Sequence, residues 1–153
     1  TNDLASSEFL VHEHKIELSP APHFNLKEEA FIQDAISRLI AQEHIQSAHD
    51  ISEGGLFIAV LESAMPADFG FEINTCPSVR KDACLFGEGQ SRVIVSVQKE
   101  KLEAFTKFVQ EKNIPNTKLG TVKGKSILID GEDFGTIAEY KELYDTAIEK
   151  YFV

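Results

Sequence analysis

Two short stretches of the sequence bring together residue types that can bind an anion. In the first, "HDISEGGL" at residues 49–56, a strand-like run ends at a carboxylate, and a glycine pair precedes an apolar helical run. The first N–H groups of a helix have no partner within it, and the helix dipole makes that end partly positive. Glycine lets a ligand approach the backbone closely. One interpretation is therefore a phosphate or carboxylate site, whose candidate residues are Asp50, Ser52, Gly54 and Gly55.

Turn chemistry is the other interpretation of this stretch. Asp50 and Glu53 would repel an anion unless Mg²⁺ or a cationic group lay between them and the anion. Aspartate or serine before a helix is a common N-cap, so Asp50 and Ser52 could simply cap the helix. His49 stands beside a carboxylate, where it could transfer a proton or hold a structural hydrogen bond. The residues alone leave these alternatives open.

The second stretch, "LFGEGQSRVIVSV" at residues 85–97, places a Gly-x-Gly loop before the clearest predicted strand. Backbone N–H groups of the loop, the Ser91 hydroxyl and the Arg92 guanidinium could hold an anion together. The loop is no dinucleotide fingerprint, because it precedes a strand and lacks the third glycine. The alternative is a tight turn with an ion pair between Arg92 and Glu88.

The periodicity of apolar residues predicts an α+β domain around these stretches. Helices are expected at residues 25–44, 54–65, 78–85, 99–112 and from 136 onward. Strands are expected at residues 45–52, 70–75 and 91–97, and at "TKLGTV" and "KSILID", which a Lys123-Gly124 turn would join as a hairpin. The helix at 54–65 is apolar on most sides and should be buried. This order of elements predicts a mixed β-sheet flanked by helices.

Two helix starts have recognisable caps. Asn25 stands three residues before Glu28, close to a capping box with asparagine as the cap. Thr136 with Glu139 is a full S/T-x-x-E box, and it predicts a final helix with apolar residues as far as Tyr151.

Residues 1–22 are predicted to be an irregular arm. Pro20 and Pro22 favour extended structure within it. We expect the arm to be a linker that enters from an upstream domain, and residues 23–153 to form a single α+β C-terminal domain.

The composition narrows the class of partner. The formal net charge of −10 argues against nucleic acid or an anionic membrane. Hydrophobic residues make up 42% of the chain, which is enough for a core, and no segment is long and apolar enough to span a bilayer. Cys76 and Cys84 match no zinc pattern and are predicted to be reduced thiols, which fits a cytoplasmic protein.

Together the two stretches resemble a known family. The first matches a D-x-S-x-G-G-L element, and the second an L-F-x-E-x-x-S-R element, of the C-terminal domain of the aminoimidazole ribonucleotide synthetase superfamily. More narrowly, the chain resembles phosphoribosylformylglycinamidine synthase, the large synthetase subunit of purine biosynthesis. The arm is similar to the D-L-x-x-S-E-[FY] segment that enters the last domain of that subunit, through Asp3, Leu4, Ser7, Glu8 and Phe9. Departures are Ala5-Ser6 in place of a glycine pair and Gly89 in place of a serine.

The resemblance implies an ATP-dependent carbon–nitrogen ligase of the amidotransferase type. In this family, formylglycinamide ribonucleotide, ATP and glutamine-derived ammonia give the amidine, ADP and phosphate. ATP activates the amide oxygen, and ammonia then displaces phosphate. The cofactors implied are ATP and Mg²⁺, bound mostly by N-terminal domains that this chain lacks, and the partners are those domains, a glutaminase domain or subunit and the small nucleotide substrate.

The resemblance also implies a mixed sheet flanked by helices, in agreement with the pattern of elements. It places the catalytic histidine in the missing domains, so the fragment alone is expected to be inactive. The residues expected to supply cleft wall and anion-binding groups are Asp50, Ser52, Gly54, Gly55, Glu88, Ser91 and Arg92.

Two alternatives stay open at this point. The chain could be a non-catalytic scaffold or interaction domain, in which both glycine stretches are turns. It could also be the C-terminal domain of another superfamily member, although "LFGEGQSR" and the arm argue against that. The ligand-binding hypothesis requires the two glycine stretches to lie near each other and to face a neighbouring domain. Whether that neighbour holds the catalytic or an auxiliary nucleotide site, and the oligomeric state, do not follow from the sequence.

Overall fold

The computed structural model describes residues 3–152. Its helices are α1 (Glu8–His14), α2 (Leu26–Ala41), α3 (Gly55–Ala64), α4 (Lys81–Phe86), α5 (Leu102–Glu111) and α6 (Ile137–Asp145). Its strands are β1 (Ser47–Asp50), β2 (Phe71–Ile73), β3 (Val93–Ser96), β4 (Gly120–Val122), β5 (Ser126–Ile129) and β6 (Glu132–Thr136). The mixture of helices with a mixed sheet confirms the predicted α+β class.

The larger sheet has its four strands in the order β4-β2-β5-β6. β2 lies between β4, to which it is antiparallel, and β5, to which it is parallel. The predicted hairpin of β4 with β5 is therefore wrong. The Lys123-Gly124 turn instead crosses the start of β2, where the Gly70 N–H donates to the Gly124 carbonyl at 2.8 Å. Gly70 permits this crossing because a Cβ there would lie 2.3 Å from the Ser126 carbonyl oxygen.

A hairpin does form between β5 and β6, one step further along the chain. Its turn residues, Asp130 and Gly131, have left-handed φ angles of 54° and 79°. Two residues with positive φ suit the twist of a two-residue hairpin, and Asp-Gly is a typical sequence for it. The pattern of apolar residues does not predict β6, because "EDFGT" contains a single large apolar side chain.

The main core lies between α3 and the larger sheet. The buried residues of α3 are Gly55, Leu56, Ala59, Val60 and Leu61, as its apolar character predicts. They pack with side chains of the two central strands and α6, of which the buried ones are Phe71, Ile73, Ile127, Ile129 and Ile137. α3 is thus held on several sides, which fixes the position of its first turn.

A second, smaller sheet pairs β1 with β3 in antiparallel register, with Asp50 opposite Val93. A separate apolar cluster of Leu39, Phe108 and Val109 joins α2 to α5. On α2, Ala35 and Leu39 are buried, whereas the apolar side chains of Phe31 and Ile40 are exposed. The β1–β3 pairing brings together the ends of the two stretches singled out in the sequence.

The arm is not irregular throughout, which corrects the prediction. Residues Glu8–His14 form α1, whose N-cap Ser7 accepts a hydrogen bond from the Leu10 N–H and is fully buried. Pro20 and Pro22 favour extended structure only in the later part of the arm, whereas Ser7 is a typical N-cap and indicates a helix in its first part. Residues 1 and 2 of the arm lie outside the described residues, and the division at residue 22 stays a prediction.

Both predicted caps form. The Asn25 side chain accepts from the N–H groups of Lys27 and Glu28. Thr136 and Glu139 make both hydrogen bonds of the capping box at the start of α6. α6 ends at Asp145, however, and Tyr151 lies in a separate 3₁₀ turn.

Candidate functional site

The two glycine stretches are neighbours in the fold. A carboxylate oxygen of Glu88, Oε1, accepts a hydrogen bond from the Gly54 N–H at 2.9 Å. A Cβ on Gly55 would lie 2.7 Å from backbone atoms of Leu85 and Phe86, so the two backbones are in direct contact. The expected proximity of the stretches is therefore confirmed. We call this contact region, residues 52–56 with residues 84–92, the glycine junction.

The start of α3 is built from backbone groups. Gly54 is the N-cap, with a φ of 77°, and no side chain caps the helix. The Gly55 N–H donates to the Ser52 carbonyl at 3.0 Å, which closes the turn. The Asp50 side chain is 79% exposed, and Ser52 is also exposed. The alternative that Asp50 or Ser52 caps α3 through its side chain is thus wrong.

Glu88 links three segments of the chain. Its Oε1 accepts from the Gly54 N–H and also from the Glu8 N–H, both at 2.9 Å. The second donor lies at the start of α1, where the helix dipole favours a negative charge. Hydrogen bonds to an ionised acceptor are stronger than neutral ones. One oxygen of Glu88 therefore accepts from two backbone N–H groups, one at the start of α1 and one at the start of α3.

Arg92 is directed at the end of α4. Its guanidinium donates to the Gly87 carbonyl at 2.9 Å and to the Cys84 carbonyl at 3.3 Å. A cation at the C-terminal end of a helix satisfies carbonyls that lack helical partners. Burial lowers the pKa of Arg92 from its ordinary value. The alternative ion pair of Arg92 with Glu88 does not form within residues 3–152, because each group is engaged elsewhere.

Ser91 attaches the loop to α2. Its hydroxyl donates to Glu29 Oε2 at 2.7 Å, and this bond, followed by one from Gln33, lowers the pKa of Glu29. Ser91 has a left-handed φ of 61°. The sequence provides no signal for Glu29 as a partner, because the two residues are far apart in the chain and only the fold brings them together.

His49 has a structural environment. Its Nδ1 lies 2.6 Å from the Asp50 carbonyl oxygen, and its Nε2 lies 3.3 Å from Glu62 Oε2 on α3. These contacts agree with the interpretation as a hydrogen-bonded structural histidine, which stays a prediction. The contact ties β1 to the outer face of α3.

The arm supplies contacts that sequence reasoning missed. The Phe9 ring stacks on the Phe86 ring, with centroids 4.7 Å apart and planes 2° apart. A Cβ on Gly87 would lie 2.5 Å from the Asp3 carbonyl oxygen. The aromatic residue on each side was visible in the sequence, but their pairing depends on α1, which was not predicted.

The chemistry of the glycine junction divides into two layers. Glu88, Ser91 and Arg92 are occupied by contacts within the protein. The side chains that face solvent beside the start of α3 are Asp50, Ser52 and Glu53. Two surface depressions of about 480 and 560 Å³ lie beside α6 and between α4 and β6. The second borders the junction through Leu85 and Phe86, but none of the seven predicted site residues lines either depression.

Within residues 3–152, no group of three or more His, Cys, Asp or Glu side chains is placed to hold a metal ion. Cys76 and Cys84 are both free thiols. None of the described helices is long and apolar enough to cross a membrane.

Sequence relatives carry a common name. The chain is 37% identical over 125 residues to the phosphoribosylformylglycinamidine synthase subunit PurL of Alkaliphilus metalliredigens, which covers 82% of this chain and 17% of the relative. It is 37% identical over 128 residues to the protein of the same name from Caldanaerobacter subterraneus, covering 84% of this chain and 18% of the relative. The chain therefore spans less than a fifth of the length of these relatives.

Solved structures with the same fold include three of Thermotoga maritima proteins. PurL complexed with FGAR has a TM-score of 0.62 at 14% identity, over 74% of this chain and 21% of that one. PurL complexed with ATP has a TM-score of 0.60 at 13% identity, over 71% and 20%. PurLQS has a TM-score of 0.64 at 14% identity, over 82% and 22%.

The family described as AIR synthase related protein, C-terminal domain, matches residues 3–130, which include most of the arm, the glycine junction and the central strands of the larger sheet. A match over most of the chain, together with the fold described above, is sufficient to assign it. The chain belongs to the AIR synthase related protein C-terminal domain family.

Proposed function

We propose that this chain is the C-terminal domain of the synthetase part of a phosphoribosylformylglycinamidine synthase. Such an enzyme converts formylglycinamide ribonucleotide, ATP and glutamine-derived ammonia to the amidine, ADP and phosphate in purine biosynthesis. The observation that carries the proposal is the glycine junction, in which the two stretches that define the resemblance meet at the Glu88–Gly54 hydrogen bond. The names of the relatives at 37% identity support it.

In this proposal the junction is one wall of the substrate cleft. Gly54 and Gly55 shape the start of α3, where their N–H groups bond to Glu88 and to the Ser52 carbonyl, so a ligand would meet the turn from its exposed side. The exposed side chains of Asp50 and Ser52 face the ligand or the neighbouring domain. Three side chains do not contact the ligand in this proposal but stabilise the junction. Glu88 bonds to Gly54, Ser91 bonds to Glu29, and Arg92 bonds to the end of α4.

ATP and Mg²⁺ are the proposed cofactors. The triphosphate would approach the start of α3 together with Mg²⁺, because the exposed carboxylates of Asp50 and Glu53 there would repel an unaccompanied anion. A magnesium ion would draw most of its ligands from the nucleotide phosphates and from other domains, because the described residues offer no cluster of metal ligands.

The proposed partners are the N-terminal domains of the same enzyme and a glutaminase domain or subunit, and the proposed compartment is the cytoplasm. Missing domains would supply the reacting groups, so the isolated chain would not turn over substrate.

The experiment is a domain exchange. The segment of the Alkaliphilus metalliredigens relative that matches this chain is replaced by this chain, and ATP-dependent amidine formation is measured. We expect the hybrid to be active and a version with the segment deleted to be inactive. A correctly folded but inactive hybrid, or amidine formation by the isolated 153-residue chain, would refute the proposal.

A second candidate function is a scaffold without ligand contacts. The observation that favours it is the internal use of Glu88, Ser91 and Arg92, which leaves their hydrogen bonds within the protein. Substitution of Arg92 does not separate the two functions, because Arg92 also stabilises the fold. Asp50→Asn and Ser52→Ala do, since both side chains are exposed. Loss of hybrid activity at unchanged stability supports the ligand-facing role, and unchanged activity in both variants supports the scaffold.

A further inference from the structure

We infer that Glu88 is a positioning residue that couples the arm to the start of α3, so that the placement of α1 sets the placement of the Gly54 N–H. The inference deepens the proposed function, on which its consequence for ligand binding rests. Its basis is that one oxygen, Glu88 Oε1, accepts from the Glu8 N–H and the Gly54 N–H at the same distance of 2.9 Å.

The arm is seated on the loop that bears Glu88. Phe9 stacks on Phe86 two residues before Glu88, and the Asp3 carbonyl oxygen approaches Gly87 too closely for any side chain there. The arm is itself braced, because the buried Ser7 hydroxyl donates to the Leu4 carbonyl at 2.7 Å. A displacement of α1 would therefore displace the loop at residues 86–88.

The loop in turn is seated on the start of α3. Backbone atoms of Leu85 and Phe86 lie 2.7 Å from the position that a Cβ of Gly55 would take, so the two backbones pack directly on each other with no side chain between them. Arg92 binds the carbonyls of Cys84 and Gly87 and so stiffens the loop from its far side. Packed backbones with fixed carbonyls transmit a shift instead of absorbing it.

Glu88 joins the two contacts chemically. A carboxylate oxygen that accepts two N–H groups cannot move toward one donor without changing its geometry to the other. Both bonds are charge-assisted, and each N–H would be left without its protein acceptor if the carboxylate were withdrawn. By thermodynamic reciprocity, whatever fixes α1 also favours the bonded position of Gly54.

Hydrogen exchange of single amides in the 153-residue chain, measured by NMR, tests the coupling without any ligand. Phe9→Ala removes the ring contact of α1 with Phe86 but leaves the Glu88 carboxylate and both of its N–H donors in the chain. We expect exchange at Gly54 to accelerate about tenfold in Phe9→Ala and in Glu88→Gln, the equivalent of losing one hydrogen bond. Leu18→Ala is the matched control, because Leu18 is an arm residue that is 94% exposed. The Asn74 amide, bonded to the Leu119 carbonyl just beyond the paired residues of β2 and β4, is the internal reference for the larger sheet.

Faster exchange at Gly54 with an unchanged rate at Asn74 supports the coupling. If Phe9→Ala accelerates exchange at Glu8 but leaves Gly54 unchanged, the arm is a separate attachment and the inference is wrong. Should Phe9→Ala fail to fold, Phe9→Leu removes the ring stacking with a smaller loss of volume, and the same comparison applies. The result is independent of the domain exchange, so a failed coupling and a failed function are distinguishable.

Discussion

Two glycine turns with similar backbone angles have opposite surroundings in this protein. At the start of α3, Gly54 and Gly55 have φ angles of 77° and 71°, and in the β5–β6 hairpin Asp130 and Gly131 have 54° and 79°. A Cβ on Gly55 would meet backbone at 2.7 Å, whereas a Cβ on Gly131 would have nothing within 4 Å. Position 55 thus requires glycine both for its left-handed φ and because a side chain would meet the neighbouring backbone. Position 131 requires glycine for its left-handed φ alone.

The difference changes how a glycine motif is interpreted. A glycine pair before a helix favours a ligand that approaches the backbone, but here part of the space beside Gly55 is filled by the loop at Leu85 and Phe86. Packing is therefore a sufficient reason for Gly55, and the ligand hypothesis depends on the exposed side of the turn, at Asp50 and Ser52.

The largest expected effect separates these two turns. Gly55→Ala forces a methyl group into backbone and adds left-handed strain, so we expect it to lower the free energy of unfolding by roughly 3 kcal/mol or more. Gly131→Ala adds only the strain and should cost about 1 kcal/mol. Urea denaturation followed by circular dichroism measures both. Equal losses would show that the contact with Leu85 and Phe86 yields easily and would remove the contrast between the turns.

A smaller effect is expected at Arg92, which belongs to the glycine junction. Arg92→Met keeps the aliphatic stem but removes two charge-assisted hydrogen bonds to carbonyls, and should lower the free energy of unfolding by about 2 kcal/mol. Arg38→Met is the matched control on α2, where Arg38 pairs with Asp34 on the surface at 2.7 Å. An exposed ion pair on a helix surface contributes little to stability, so we expect a much smaller loss at Arg38. A loss at Arg92 no greater than at Arg38 would mean that water replaces the guanidinium at the end of α4.

Features that depend on near neighbours in the chain were predictable. The caps at Asn25 and Thr136 follow from side chains that reach N–H groups within three residues. The burial of α3 follows from its apolar composition. The same reasoning extends to α1, because Ser7 is a recognisable N-cap and Pro20 and Pro22, which favour extended structure, lie beyond the end of that helix.

Strand order was not predictable in the same way, because it depends on residues far apart in the chain. The Lys123-Gly124 turn has hairpin composition, yet β2 lies between the two strands that the turn connects. The decisive residue is Gly70, some fifty positions earlier in the chain. Because it has no side chain, the backbone at Lys125 and Ser126 can cross close to the start of β2. No local pattern reports such an insertion.

The candidate site shows the same division. That the two glycine stretches meet was a requirement of the ligand-binding hypothesis, and the Glu88–Gly54 hydrogen bond confirms it. The direction of Arg92 was not predictable, because it depends on where α4 ends and on which carbonyls are left there. Glu8 and Glu29 could not be named as partners before α1 and α2 were placed against the loop.

The smallest expected effect concerns acid, and it compares one carboxylate in each region. The Asp130 carboxylate accepts from the Thr75 N–H at 2.7 Å and its hydroxyl at 2.8 Å, and with Lys81 nearby these hold the pKa of Asp130 below its ordinary value. In the junction, the Ser91 hydroxyl likewise lowers the pKa of Glu29. A carboxyl group that binds its proton more weakly in the folded protein adds stability above its unfolded pKa, and that stability is lost as the pH falls through the folded pKa.

Both groups therefore lose their contribution below about pH 4. We expect Asp130→Asn to flatten the fall in the urea midpoint between about pH 6 and pH 3 more than Glu29→Gln does, because Asp130 has a backbone donor and a cation where Glu29 has a hydroxyl and an amide. Asparagine tolerates the left-handed φ of this position, so the substitution tests charge and not backbone strain. Thr75→Val should reduce the acid sensitivity in part, by removing one donor. If Glu29→Gln has the larger effect, the contact of Ser91 with Glu29, and not the hairpin, is the more acid-sensitive of the two.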